Sequence, residues 1–505
     1  MTLHPTGTAP TAAPPRAAAA HDGIAPVPEA DRTSTPSDFG WIWPSAQFSF
    51  GTVVLGALPV IFGLGWWSAA SAILVGVAVG AGLLAPLARF GVRTGVNDPV
   101  ASGAHFGVRG RVIGNLITVV TALGFFAIAV WTGGTAVMVA SHRLLSTPTG
   151  PGALTVAMGV TTAAVALVAV RGHEMLIRTY KVTALAGGAV ILATVLVLAP
   201  DFDPGYAGGT LALESEPHTW LLAATASATV PLSYATFQGD YTRYMPARTP
   251  TGRLVRHSGV AMFLSSLAAL LTGAYVTTLF PVPDEPWLQG LTNAVPGWFA
   301  VVVVVFGFAG TLPQAGLCLY AAGLSANSMF WRASRTAVTT VVALLAAAVL
   351  YLGAVVYDAM DAMSAFVTLL LTVVAPWAAV LSVGYVLRRG RYDVEALRTF
   401  TTGGGGRYWY TRGANPRAVL AFAAGSVIGV LWVNGPLYVG PLARATAGVD
   451  LSLPASFTVA ALLYGLLCRL RPETDVLLPE DGTAGGDELS GTVPGPPREM
   501  TRPRR

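Results

Sequence analysis

Apolar runs long enough to cross a lipid bilayer recur along almost the whole chain, and only short segments between them hold the charge. Lipid offers no water to exposed backbone groups, so such a chain folds as a helix bundle or a closed barrel. Runs of about 20 apolar residues suit helices, because a spanning strand needs only about 10. Of the 505 residues, 53% are hydrophobic and 11% are charged, against about 25% charged in a soluble domain. The runs read as twelve spanning helices of an all-α integral membrane fold, near 39–62, 66–88, 112–140, 153–170, 182–200, 219–239, 257–281, 296–326, 336–357, 362–387, 417–440 and 454–468.

The charges test that count. With twelve crossings, 28 of the 30 Lys and Arg residues fall on one side, and only Arg143 and Arg444 on the other. The opposite loops carry Asp201, Asp203, Glu214, Glu216, Asp284, Glu285, Asp358, Asp361 and Asp450. Basic loops stay in the cytoplasm, which places both termini there. The single Lys (Lys181) against 29 Arg, with abundant Ala, Gly and Pro, reads as the coding bias of a GC-rich bacterial genome, and so as an inner membrane. The stretch 1–37 lacks a basic region followed by an apolar one, so it reads as a disordered tail rather than a signal peptide. The expected domain spans 38–471, and 472–505 reads as a second disordered tail.

Several function classes drop out. The net charge of +5 is spread over seven short segments and forms no patch for nucleic acid. Cys318 and Cys468 have no partner at metal or redox spacing and read as packing residues. No His-Glu-X-X-His, no Gly-X-Ser-X-Gly and no intramembrane carboxylate pair points to an enzyme. His105, His142 and His173 are isolated near loops and are expected to be solvated.

Two spans are interrupted. The first reads FGWIWPSAQFSFGTVVLGALPVIF, with Pro44, Gly51, Gly56 and Pro59. The sixth reads TWLLAATASATVPLSYATFQGDYTRY, with Pro231 followed by Ser233, Tyr234, Thr236 and Gln238. Proline removes a backbone donor and disfavours helix at the preceding residue. In lipid the freed carbonyls need neighbouring helices, a ligand or an ion as partners. An ordinary proline kink is the alternative. Spans 1 and 6 would open two five-helix halves, repeat one at 39–200 and repeat two at 219–387, with accessory helices at 417–468. Breaks in corresponding helices of two inverted repeats point to a midplane binding site.

Ionisable groups are almost missing from the spans. Asp240 ends span 6 beside Arg243, where it can pair or cap. A substrate held there is expected to be neutral or weakly charged, bound by amides, hydroxyls and aromatic faces. Candidates are Phe125, Phe126 and Trp131 in span 3, Tyr234 and Phe237 in span 6, Gln314 and Tyr320 in span 8, and Ser45 and Gln47 at the first break. A flat heterocycle would stack on rings and bond to Gln. Each ring read alone is first a packing residue or an interfacial anchor; Gln314, directly after Pro313, reads as functional, with an interhelical hydrogen bond as the alternative.

Span 10 and its exit, APWAAVLSVGYVLRRGRYDVEALRTF, resemble the purine–cytosine permease family, the nucleobase:cation symporter-1 group. Pro376-Trp377-Ala378, Tyr385–Arg389 and Tyr392-Asp393 match its signature. GDYTRYMP (Gly239–Pro246), FGVRTGVNDPVASGAHFGVRG, WPSAQFSFG, YAAGLSAN (Tyr320–Asn327), YWYTRGANPRAV, GPLARATAGVDLSL and ALLYGLL also resemble it, in family order from about 40 to 470. The chain departs from the pattern in places. Gln47 replaces an Asn, Phe125 after Gly124 replaces a stacking Trp, and Gly384 replaces an acid. In Thr311-Leu312-Pro313-Gln314-Ala315 only Thr311 carries a hydroxyl.

The resemblance implies a leucine-transporter-type fold, two inverted five-helix repeats plus two helices, and uptake of a nucleobase coupled to Na⁺ or H⁺. It implies stacking on Phe125 and Tyr234, with Gln47, Gln314 and carbonyls near Ser233 reading the base edge. Carbonyls of Ser45 and Ala46 with Thr311 would hold the cation. Allantoin or a hydantoin, a thiamine precursor or an amino acid on the same fold, or a non-transporting sensor, are the rival readings.

Overall fold

The computed structural model describes residues 25–170, 173–280, 287–330, 335–397 and 405–473. These are helical almost throughout, and two isolated bridges are the only β pairing among them. The helices used below are α1 (Phe39–Gln47), α2 (Phe50–Leu55), α3 (Trp66–Leu84), α4 (Val112–Leu145), α5 (Pro151–Val170), α6 (His173–Leu198), α7 (Glu216–Ser233), α8 (Gln238–Thr242), α9 (Thr251–Thr277), α10 (Gly297–Met329), α11 (Arg335–Tyr351), α12 (Ala359–Leu387), α13 (Pro416–Trp432) and α14 (Ser452–Leu470).

A helix stands in each of the twelve expected stretches. Among the described residues, seven helices are long and apolar enough to cross a membrane, or eight if the bent first pair forms one span. Shorter apolar helices occupy 151–167, 340–356 and 416–432. Leu185, Leu192 and Leu196 fall on one face of α6 by helical spacing and are all exposed, as a lipid-facing stripe requires. The chain is a multi-pass membrane protein.

The packing has an internal regularity. α4 and α10, the third and eighth segments, pack along their lengths. α1 packs on α9 as α7 packs on α3, and α1 on α6 as α7 on α12. α5 packs on α10 as α11 packs on α4. Each pair maps onto another when five segments are added or removed, which is the pattern of a five-plus-five repeat. α13 and α14 pack together against α12.

Both breaks lie C-terminal to their prolines. α1 stays helical through Pro44 and ends at Gln47, where Phe48 (φ −81°, ψ 50°) leaves the helix. Ser49 is extended and its side chain caps α2 by accepting from Thr52 N. The chain bends by 69° across this break. α7 runs helically past Pro231 to Ser233, then tightens to a 3₁₀ turn over Tyr234–Thr236 before α8 restarts at Gln238. The second interruption is therefore centred on Tyr234–Phe237 rather than on the proline. α2 is held against α9 by direct backbone approach. A Cβ on Gly56 would strike the Leu270 carbonyl, and one on Gly273 the Val53 carbonyl.

Two expectations about the segments outside the spans change. Residues 25–37, expected in the disordered tail, are tied down: Val27 N donates to Gly95 O (2.9 Å), and Ser34 N to Tyr244 O (2.9 Å). His105, expected to be solvated, is fully buried. Arg388 donates to its Nδ1 (2.9 Å), and Tyr392 Oη lies 3.3 Å from its Nε2. Arg388 also pairs with Glu473, which takes a further bond from Asn415 Nδ2 (2.7 Å). This buried network joins the C-terminal end of α12 to the segment before α13 and the end of α14. Residues 1–24 and 474–505, with Arg171, Asp284, Glu285, Arg332 and Arg398, lie outside the described residues, as does the side chain of His173.

Candidate functional site

The two breaks face each other through aromatic side chains. Trp43 of α1 meets Tyr234 edge-on (centroids 5.7 Å apart, 71° between planes) and Tyr241 of α8 (5.6 Å, 82°). Tyr234 also meets Phe125 of α4 (5.9 Å) and Phe237 (5.8 Å). Phe366 of α12 closes on Phe125 at 5.5 Å. Trp43, Phe125 and Tyr234 are all at most 1% exposed. A hydrogen-bond chain locks the breaks together: Trp43 Nε1 donates to Ser258 Oγ (3.3 Å), Ser258 Oγ to Gln238 Oε1 (2.6 Å), and Gln238 Nε2 to Leu84 O.

Polar groups on these elements are incompletely matched. Gln47 Nε2 reaches only Met262 Sδ (3.5 Å), and Gln47 Oε1 is buried with no partner. Ser49 Oγ meets Gln314 Oε1 directly, while Gln314 Nε2 has no partner. Tyr234 Oη lies near Gln314 without a hydrogen bond of ordinary geometry. Thr121 Oγ1, one helical turn before Phe125, and Thr236 Oγ1 are likewise unmatched. A buried polar group left unmet costs roughly 1–3 kcal/mol. The donors Gln314 Nε2 and Tyr234 Oη beside aromatic faces suit a flat ligand carrying C=O or ring-nitrogen acceptors on its edge, and Gln47 Oε1 is an unmatched acceptor at the first break.

The expected residues separate into those that meet and those that do not. Phe125, Tyr234 and Gln314 belong to this cluster, while Gln47, one turn after Trp43 on α1, turns to Met262 of α9. Ser233 Oγ turns back to Val230 O (2.8 Å). Ser45 Oγ turns back to Ile42 O (2.8 Å). Thr311, expected to share a cation with Ser45 and Ala46, faces α4 instead, donating to Gly307 O (2.8 Å) and Ala129 O (3.2 Å). Its helical phase explains this. Gly310 and Gln314 lie on the α10 face that approaches the first break, and Thr311 is turned about 100° from Gly310. Trp131 lines a separate apolar cavity with Ile128, Leu350, Met363 and Phe366. Phe366 lines that cavity and also touches Phe125, so it stands between the cavity and the aromatic cluster. Tyr320 sits lower, taking a bond from Arg243 Nη2 (3.1 Å).

Sequence reading missed Trp43, Ser49, Thr121, Phe366 and Asp98. Ser49 carried a readable signal, a hydroxyl followed by an apolar helical run, which is a capping pattern. Asp98 lies in the loop between the second and third spans, yet it is buried against the second break, where Gly239 N donates to Oδ2 (2.6 Å). Burial raises its pKa well above the ordinary carboxylate range. The Gly239 N–H opposes that rise, and neighbouring Asp240 adds to it.

Comparison with known proteins agrees in extent. Residues 26–454 match the family described as "Permease for cytosine/purines, uracil, thiamine, allantoin". The "Putative purine-cytosine permease YxlA" of Bacillus subtilis (strain 168) is 26% identical over 454 residues, covering 88% of this chain and 95% of that protein. The "Purine-uracil permease NCS1" of Arabidopsis thaliana is 28% identical over 120 residues, 23% of this chain and 20% of that one. Among solved structures, Mhp1, a nucleobase-cation-symport-1 family transporter in a closed conformation with bromovinylhydantoin bound, superposes with a TM-score of 0.69 at 18% identity. That match covers 89% of this chain and 95% of Mhp1. A Na⁺-coupled sialic acid symporter in an outward-open state superposes at 0.57 and 12% identity, covering 88% of this chain and 91% of the other. At these identities the structures speak for the fold, the leucine-transporter type.

Proposed function

The chain belongs to the family of permeases for cytosine/purines, uracil, thiamine and allantoin, and we propose that it imports a nucleobase by cation symport across a bacterial inner membrane. Permeases move their solute unchanged, so the protein is a secondary transporter and not an enzyme. Twelve crossings with both termini in the cytoplasm complete this reading. The observation that carries it is the unmatched Gln314 Nε2 and Tyr234 Oη beside the Phe125 ring, where two interrupted helices meet.

In this reading the base stacks on Phe125 and Tyr234. Gln47 accepts from a ring N–H and Gln314 donates to a ring carbonyl or nitrogen. Cytosine, uracil and 6-oxopurines all carry such adjacent donors and acceptors. Matching two buried groups that otherwise stand unmet supplies roughly 1–3 kcal/mol each, and the stacked ring adds about 0.5–1.5 kcal/mol. Bending at the two breaks then opens the pocket to one side at a time. A metal cation held by Ser45 and Ala46 carbonyls would meet Thr311 through the lone pairs of a hydroxyl whose proton is given to Gly307 O and Ala129 O.

The names of the relatives support a heterocyclic substrate: purine and cytosine for the Bacillus protein, hydantoin for Mhp1. The test is uptake by purified protein in proteoliposomes with labelled cytosine, uracil, hypoxanthine and allantoin, under Na⁺ and pH gradients imposed separately. Accumulation of at least one base under one gradient is the expected result. Amino-acid uptake, or no flux at all, would contradict the proposal.

A further inference from the structure

The inner end of the second break holds two buried carboxylates that the base-binding cluster does not use. Asp98 is 1% exposed and Asp240 is 8% exposed. Asp98 Oδ2 accepts from Gly239 N, but Asp98 Oδ1 and Asp240 Oδ1 are both buried with no hydrogen-bond partner. A Cβ on Gly239 would strike the Asn97–Asp98 backbone, so the two segments lie in direct contact.

The surrounding charges do not neutralise them. Among the described residues neither Asp98 nor Asp240 is in an ion pair. Arg243, the cation nearest Asp240 in sequence, donates to Tyr320 and Tyr244 and lies over the Tyr244 ring (5.0 Å). On the short helix Arg89–Thr94, Arg89 lies over the Tyr385 ring (5.1 Å), and Arg93 donates to Thr251. From the α4 side, Arg111 donates to Leu397 O and His105 is taken by Arg388. The other titratable groups facing the pair are the phenols Tyr180 and Tyr241, with Tyr320 beyond them on Arg243. Among the described residues the two buried carboxylates therefore share one guanidinium and stand one positive charge short. A proton needs one free oxygen lone pair, and two are present.

We propose that Asp98, with Asp240 beside it, is the proton-binding site through which this permease couples base uptake to H⁺. The inference rests on the transporter reading above and names its coupling cation. A hydronium ion gives its proton to an Asp98 oxygen, forming one O–H bond and leaving water; release to cytoplasmic water reverses that step. With the proton held, the Asn97–Ala101 segment packs on α8 and the inner side stays shut. Without it, two like charges lie side by side and drive the segment from α8. Thr236, whose unmatched hydroxyl lies four residues before Asp240, is placed between this pair and the base-binding cluster.

Two measurements on the full-length protein test this independently of each other. The first is infrared pH-difference spectroscopy without substrate. The protonated-carboxyl C=O band is expected near neutral pH in the wild type. It should vanish in Asp98→Asn, whose side-chain carbonyl still accepts from Gly239 N, and should shift but persist in Asp240→Asn. A wild type with no titrating carboxyl band between about pH 5 and pH 9, within reach of a buried acid, overturns the proposal, as does a band unchanged in Asp98→Asn. The second is flux in proteoliposomes with labelled cytosine and hypoxanthine. Asp98→Asn should keep base-for-base exchange yet lose pH-driven accumulation, which in the wild type approaches tenfold per pH unit, the equivalent of about 1.4 kcal/mol. Accumulation driven by Na⁺ alone, or unaffected pH-driven accumulation in Asp98→Asn, overturns it. If neither base is exchanged by the wild type, the substrate reading fails while the infrared band still decides the proton site.

Discussion

The Ser49 hydroxyl meets the side-chain carbonyl of Gln314 across the first break. This one contact fixes which end of Gln314 is engaged and leaves its amide N–H groups, as donors, without a partner. It couples the cap of α2 to the face of α10 that lines the break. Ser49→Ala would free the amide to rotate and present its carbonyl instead. The expected result is an apparent binding constant about fivefold weaker, from loss of roughly 1 kcal/mol of orientation. Gln314→Leu should weaken it further, by about 10- to 100-fold, with the protein still folded. Substrate-induced Trp fluorescence or competition uptake reads both.

Phe125 is sandwiched between Tyr234 and Phe366. Phe125→Ala removes a stacking face worth about 0.5–1.5 kcal/mol, so a three- to tenfold weaker apparent affinity is expected. Phe125→Tyr should hold affinity near the wild-type value. Equal affinities for the Ala variant and the wild type would take Phe125 out of the site.

Glu473, just beyond α14, pairs with the buried Arg388 and is hydrogen-bonded by Asn415. Glu473→Ala leaves that guanidinium buried without its carboxylate, at a cost of about 3–5 kcal/mol. A clear drop in thermal stability in detergent is expected, and a chain truncated after Leu470 should show the same loss.

His105 accepts from Arg388, which has no acceptor of its own, so Nδ1 is unprotonated and the ring proton sits on Nε2 toward Tyr392. Burial, and then the Arg388 charge, hold its pKa well below the ordinary imidazole value. The folded value lies below the unfolded one of about 6.5. Its contribution is therefore complete above that pH and shrinks as pH falls, by up to about 1.4 kcal/mol per pH unit. Thermal unfolding measured from pH 8 down to pH 5 should show this slope, and His105→Gln should flatten it. This window concerns stability and is separate from the proton proposed to be carried at Asp98.

How much of this was legible in the sequence depends on the range of each signal. Hydropathy and charge placed the helices, because lipid and membrane orientation act on each segment alone. Pro44 and Pro231 announced the breaks, but each opens a turn downstream, at Phe48 and Tyr234, where capping and packing decide. Gln47 and Gln314 were readable because an amide within a spanning helix needs a partner. The contact of Thr311 with α4 was not readable, because its helical phase shows only once α10 meets α4. His105 and Asp98 look like loop residues in sequence. Their burial comes from contacts with Arg388 and Gly239, each more than a hundred positions away.

The most direct test of the midplane site is counterflow of labelled bases by purified protein in proteoliposomes, comparing the wild type with a Phe125→Ala/Gln314→Leu double variant. Saturable exchange of at least one base by the wild type, lost in a correctly folded double variant, is the predicted result. Exchange at wild-type affinity by the double variant would place the base elsewhere and contradict the account.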